Sequence, residues 1–205
     1  MKLFTLALPA LAAAASIQPL QSRQVAGGPR VVYAAQLGNP NGCPAGTFSF
    51  ALSEGGLIGT IIFDAYNALV GPGISTGERE KQCDFDVTIE FPIGCTTGNI
   101  IVHPRGDNFI ANTDTGVYSA SYTLPKGQLP AGNPPNIQYR SGQNFAAFQS
   151  IPASINIRNQ NERNTTFTAR TRIFLETPLS NPQYSEFSIQ NMDIYVRDVV
   201  TTPTC

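Results

Sequence analysis

The 205-residue chain holds one histidine, His103, so a Ser-His-Asp arrangement for nucleophilic catalysis would have to use it. His103 follows the apolar run Ile100-Ile101-Val102 and precedes Pro104, which is the setting of a strand-end surface residue. The tripeptide Arg105-Gly106-Asp107 comes next. It is an adhesion motif in other settings, and it makes Arg105 and Asp107 candidate ligand contacts. The reading that needs no special presentation is a Pro-Arg-Gly-Asp turn joining two strands, and that turn is the expectation.

Three other constellations invite chemistry. Asp84, Asp86 and Glu90 share a parity, and a glycosidase needs two carboxylates about 5–10 Å apart across a cleft. The outward face of any half-solvated strand gives the same alternation. Asp107, Asn108, Asn112 and Asp114 gather the oxygen ligands that calcium takes, without the EF-hand spacing; tight turns use these residue types too. Seven tyrosines, and no tryptophan, could stack on sugars. Tyr118 and Tyr122 share one side of a run and are the candidate pair, with core packing as the competing explanation. No residue is assigned a catalytic or metal-binding role, and no cofactor is expected.

The elements that must hold these residues are short. Candidate strands are Val31 to Leu37, Thr47 to Leu52, Leu57 to Phe63, Cys83 to Phe91, Asn99 to His103, Val117 to Leu124, Ile151 to Ile157, Thr166 to Leu175, and Phe187 to Val200 with a break. Runs rich in Gly, Pro, Asn and Ser separate them, among them GNPNG, SEGG, VGPGISTGE and LPAGNPPN. No window of a dozen residues shows helical spacing of apolar positions. The expected fold is an all-β antiparallel sandwich of about 8–10 strands, with a closed barrel as the alternative.

Residues 1–15 have the layout of a secretory signal: one lysine, an apolar run too short to span a bilayer, then small residues. Residues 16–29 read as a flexible leader with a candidate cut at Arg23, and 30–205 as one domain. A secreted, extracellular location follows as the expectation. The formal charge of −1 offers no basic stripe, so nucleic acid is a poor partner. No later segment approaches a membrane span, and the oligomeric state is left open. Asn164-Thr165-Thr166 is a glycosylation sequon, expected on an exposed loop ahead of a strand.

In a secreted chain, Cys43, Cys83, Cys95 and Cys205 make two disulfides the default, with three possible connectivities. Cys83 opens CDFDVTIEF, in which Cys83, Phe85, Val87, Ile89 and Phe91 face inward. Eight steps of a strand separate Cys83 from Phe91 by about 26 Å, so a bridge from Cys83 to Cys95 requires the chain to double back sharply. If the loop after Phe63 stays on its own edge, Cys43 and Cys83 lie at one end. The pairing expected is Cys43 with Cys83 and Cys95 with Cys205.

The stretches GCPAGT (Gly42 to Thr47), IFDAYNALVGPG (Ile62 to Gly73), EREKQCDFDVTIEFPIG (Glu78 to Gly94) and HPRGDNFIANTDTGVYSASYTL (from His103) resemble a family of secreted fungal proteins, domain of unknown function 4360. In that comparison Arg105-Gly106 is the family-like part of the tripeptide, and Asp107 stands where an aromatic is usual. The resemblance makes Cys43–Cys83 the family-like bridge, with Cys95–Cys205 as a substitute for the usual second one. It implies an extracellular β-rich domain and no mechanism. The functional expectation is a non-enzymatic protein acting at the fungal wall or a host extracellular component. The alternatives are a carbohydrate-binding module using exposed tyrosines and a glycoside hydrolase using a carboxylate pair.

Overall fold

A computed structural model describes residues 27–38, 40–124, 136–140, 143, 145–178 and 183–203. The expected signal segment, most of the leader and Cys205 lie outside the described residues. Among the described residues fourteen strands follow one another: β1 (Arg30–Gln36), β2 (Phe48–Leu52), β3 (Ile58–Phe63), β4 (Asn67–Val70), β5 (Glu80–Glu90), β6 (Gly94–Gly106), β7 (Asn108–Phe109), β8 (Thr115–Thr123), β9 (Ile137–Tyr139), β10 (Phe145–Ala146), β11 (Gln149–Ile157), β12 (Asn164–Glu176), β13 (Ser185–Ser188) and β14 (Asn191–Thr202). The expected break after Phe187 is present at Ile189-Gln190, between β13 and β14. The strands beyond the expected number, β4, β7, β9 and β10, are two to four residues long, too short to show a period.

Every pairing among the described residues is antiparallel. One sheet runs β1-β5-β12-β8-β9, a second runs β10-β6-β14-β3-β2 with β11 also on β6, and a small third runs β4-β13-β7. The sheets are open, so the sandwich holds and the barrel alternative does not. A single apolar core joins them. Phe85, Val87 and Ile89 of β5, Phe167 and Ile173 of β12, Ile100 and Val102 of β6, and Met192 and Ile194 of β14 are all buried in it.

Strand β5 shows why the core forms where it does. Its inward residues, Cys83, Phe85, Val87 and Ile89, are buried, and the intervening Asp84, Asp86, Thr88 and Glu90 remain partly open. The pleat alternates side chains across the sheet, so one period-two run supplies both a core face and a charged face. Burial of Phe85, Val87 or Ile89 contributes about 1.5–3 kcal/mol each relative to an exposed side chain.

Cys43 and Cys83 are bonded, with Cα atoms 5.3 Å apart. Asn41 aligns them: its Nδ2 donates to the Glu80 carbonyl at 3.1 Å and its Oδ1 accepts from Gln82 N at 2.8 Å. Cys95 is also disulfide-bonded. Its expected partner Cys205 lies outside the described residues, although β14 brings Thr202 directly opposite Cys95. For a bridge spanning 40 residues, loop entropy predicts that the double variant Cys43→Ala/Cys83→Ala loses about 3–4 kcal/mol. Urea unfolding of the oxidised proteins measures this; a loss under about 1 kcal/mol would contradict the bridge's role.

Candidate functional site

His103 and Arg105 lie on the outer face of the larger sheet, not in a turn. Strand β6 continues through Pro104 to Gly106, pairing with β14 as far as Arg105 opposite Asn191. Proline is tolerated because the neighbour on its other side is interrupted between β10 and β11; Pro104 still accepts a hydrogen bond from Ala147 N at 3.2 Å. The expected Pro-Arg-Gly-Asp turn is therefore corrected to strand. Gly106 is required by close packing, since a Cβ there would lie 1.9 Å from the Ser188 carbonyl oxygen.

The tripeptide's two charges have separate partners. Arg105 Nη2 donates to Asp193 Oδ2 at 2.6 Å, and Thr60 Oγ1 donates to Asp193 Oδ1 at 2.8 Å. The Asp107 carboxylate accepts from Gln190 Nε2, and its carbonyl accepts from both Ser188 N and Ser188 Oγ at 3.0 Å. His103 sits opposite Asp193, with Phe148 edge-on to its ring at 5.9 Å. Burial, then the Arg105 charge, lower its pKa below the usual histidine value, with Asp193 opposing.

Ser75 lies in the Gly-x-Ser-x-Gly spacing of Gly73 to Gly77. It is the N-cap of a four-residue 3-10 helix, Thr76–Arg79, and its hydroxyl accepts from Gly77 N. A nucleophile elbow instead joins a strand to an α-helix.

The three carboxylates on β5 face outward as expected, and each has a cross-strand partner. Glu90 joins Arg30 at 2.5 Å and Arg163 at 3.0 Å, Asp84 faces Arg170 at 3.6 Å, and Asp86 accepts from Thr168 Oγ1 at 2.6 Å. A shallow depression of about 320 Å³ lies on this same face, lined by Ser119, Ser121, Arg170 and Arg172 among others. Of the four oxygen-bearing residues suited to calcium, Asp107, Asn108 and Asp114 are engaged in separate local contacts. Asp114 is buried and accepts from Ser185 Oγ at 2.5 Å, while the Asn108 amide donates to the Gln143 carbonyl. Among the described residues no three His, Cys, Asp or Glu side chains converge to hold a metal.

Tyr118 and Tyr122 do share a face, but it is the inner one. They are 0% and 3% exposed, which removes them as a sugar platform. Both hydroxyls donate to Gln149 Oε1, and Tyr66 meets Thr171 Oγ1 at 3.0 Å in the same interior. The serines between them, Ser119 and Ser121, take the outward positions.

An exposed aromatic pair lies elsewhere, on the three-stranded sheet. Phe109 of β7 is 67% exposed and Tyr184, just before β13, is 42% exposed. Their ring centroids are 6.2 Å apart. The Tyr184 hydroxyl donates to Glu186 Oε2 at 2.8 Å, and that bond, then burial, raises the tyrosine pKa. Tyr184 was only one of seven tyrosines in the sequence, and Phe109 sits in a two-residue strand without a period to mark its face. Asn164, the sequon residue, is exposed as the first residue of β12, directly after a 3-10 turn.

Residues 36–132 match the family described as Domain of unknown function (DUF4360). The resemblance read from the sequence motifs holds over that span, which includes the Cys43–Cys83 bridge, His103 and Phe109 but not Tyr184. An "Uncharacterized secreted protein" of Arthroderma benhamiae is 35% identical over 102 residues, covering 50% of this chain and 35% of the relative's length. Among the described residues no helix is long and apolar enough to cross a membrane.

Burial raises the pKa of Tyr66, Tyr118 and Tyr122 above the usual phenol value. A pKa raised in the folded state contributes stability that is complete below about pH 10 and lost as pH climbs toward the folded pKa. Each of these phenols then adds about 1.4 kcal/mol of destabilisation per pH unit above about pH 10.5. Urea unfolding between pH 9 and 11.5 is expected to show that fall, with Tyr122→Phe shallower by about one such increment. A stability flat across the range would contradict the burial of these phenols.

Proposed function

From a chain whose residues 36–132 match a family of unknown function and which is similar to a secreted fungal protein, we propose an extracellular, non-enzymatic protein. It acts by binding through its sheet surfaces, at the fungal wall or on a host extracellular component. The observation that carries this reading is the contrast between its acids and its aromatics. Asp84, Asp86, Glu90, Asp107 and Asp193 are each engaged by a neighbouring donor or cation, as a structural ladder would have them. Phe109, on the paired strand β7, and Tyr184, just before β13, by contrast present large rings to solvent. Exposed apolar surface of that kind marks contact sites.

Support also comes from the relative's description as secreted. Extracellular surroundings suit the oxidised Cys43–Cys83 pair, because disulfides persist in oxidising compartments. Asn164 belongs to the same reading as an N-glycosylation site, since its side chain stands at an exposed strand start.

Two measurements test the proposal. Oxidised protein incubated with insoluble fungal wall, and separately with host extracellular matrix, is expected to be retained by one of them without releasing reducing sugar. Retention by neither sinks the binding role, and sugar release sinks the non-enzymatic one. For Asn164, secretion from a fungal host should give a mass that falls on endoglycosidase treatment, and Asn164→Gln should abolish the difference; an unchanged wild-type mass would refute the modification.

A further inference from the structure

We infer that Phe109, Tyr184 and Glu186 form a binding site for a neutral pyranose polysaccharide on the outer face of the β4-β13-β7 sheet. The inference rests on the binding role proposed above and gives it a place and a ligand class. Strand pairing sets the geometry: Glu186 lies in register between Leu69 of β4 and Phe109 of β7. Tyr184, two residues before Glu186, falls on the same side. Gly71 permits its close seating, because a Cβ there would lie 3.2 Å from Tyr184 Cα and 3.4 Å from its ring. Phe109 and Glu186 thus stand on paired backbone, and Tyr184, just before β13, is held to them by its hydrogen bond to Glu186 and its close approach to Gly71.

Ring geometry limits how a ligand docks. The two rings are inclined at 35° with centroids 6.2 Å apart. A sugar inserted between them would need two carbon contacts of about 3.5–4.0 Å each, more than that spacing allows. The rings therefore offer a shallow joint surface, suited to the C–H faces of sugars laid across it. Stacking on such a face needs no particular base or charge, only a flat apolar side to the ligand.

Glu186 supplies the polar half. One of its oxygens already accepts from Tyr184, and the remaining lone pairs of the carboxylate can accept sugar hydroxyls or amide N–H groups. No salt bridge joins Glu186 to a cation among the described residues. A fixed negative charge beside the rings disfavours uronic or phosphorylated polymers. Asn67 and Ser188 flank Glu186 on the same outer face, being paired with each other across the strands. A site of two rings rimmed by polar groups is small and wet for a protein partner, whose hot spots need water excluded around them. It matches a sugar, which has an apolar face and a rim of donors.

The test uses the full oxidised protein with laminarihexaose and chitohexaose as neutral probes and hexagalacturonate as the anionic one. Titration followed by tyrosine fluorescence or calorimetry is expected to show binding of at least one neutral probe and none of the anionic one. Phe109→Ala and Tyr184→Ala should each weaken it at least tenfold, and Glu186→Gln several-fold. All three positions are on an outer face, and an unchanged melting temperature verifies that the variants fold. If wild type binds no neutral probe, or the anionic probe binds better, the ligand class is overturned. If retention on wall material survives Phe109→Ala/Tyr184→Ala, the site is overturned while the binding role stands. Retention on protein matrix alone, lost in that double variant, keeps the site and overturns the sugar. No retention anywhere removes the underlying binding role itself.

Discussion

In β5 the pleat carries Cys83, Phe85, Val87 and Ile89 into the core, and so it forces Asp84, Asp86 and Glu90 out together. Much of the molecule follows from that constraint. The inner row meets Phe167 and Ile173 on the neighbouring β12, and Cys83 anchors the incoming segment through Cys43. The outer row needs cross-strand counter-groups to offset like charges on one face. Arg30, Arg163, Arg170 and Thr168 supply them from the flanking strands and the turn before β12. One alternation thereby builds the core and occupies the acids that most resembled catalysts.

The same two-face rule explains what could be read from residue types. In β5 the apolar and charged positions differ so sharply that both faces were legible, as was the bridge from Cys83 to Cys43. In β8 the rule gave parity without side. Tyr118, Ala120 and Tyr122 alternate with Ser119 and Ser121, and a tyrosine tolerates either solvent or core. Facing β12 and Gln149 decides the matter, and that is a long-range fact. Pro104 misled in another way. Proline usually ends a strand, but here the break in the adjacent strand between β10 and β11 removes the need for its missing N–H.

Short strands hid the remaining features. β4, β7 and β13 have too few residues to show a period, so the outer position of Phe109 and its alignment with Glu186 emerge only from pairing. The Arg105-Gly106-Asp107 stretch changes meaning for the same reason. Gly106 is a packing necessity against Ser188, Arg105 belongs to a cluster with Thr60 and Asp193, and Asp107 ties β6 to the β13–β14 break. Residue types suggested a turn between two strands; pairing makes it the junction between the larger sheet and the small one.

The central claim is that the fold buries one set of tyrosines and presents another. Nitration of the native, oxidised protein with tetranitromethane, mapped by peptide mass spectrometry, tests it most directly. Tyr33 and Tyr184, both exposed, should react first, and Tyr66, Tyr118 and Tyr122, all buried, should stay protected until the protein unfolds. Modification of Tyr118 or Tyr122 in the native state at the rate of Tyr33 would contradict the account.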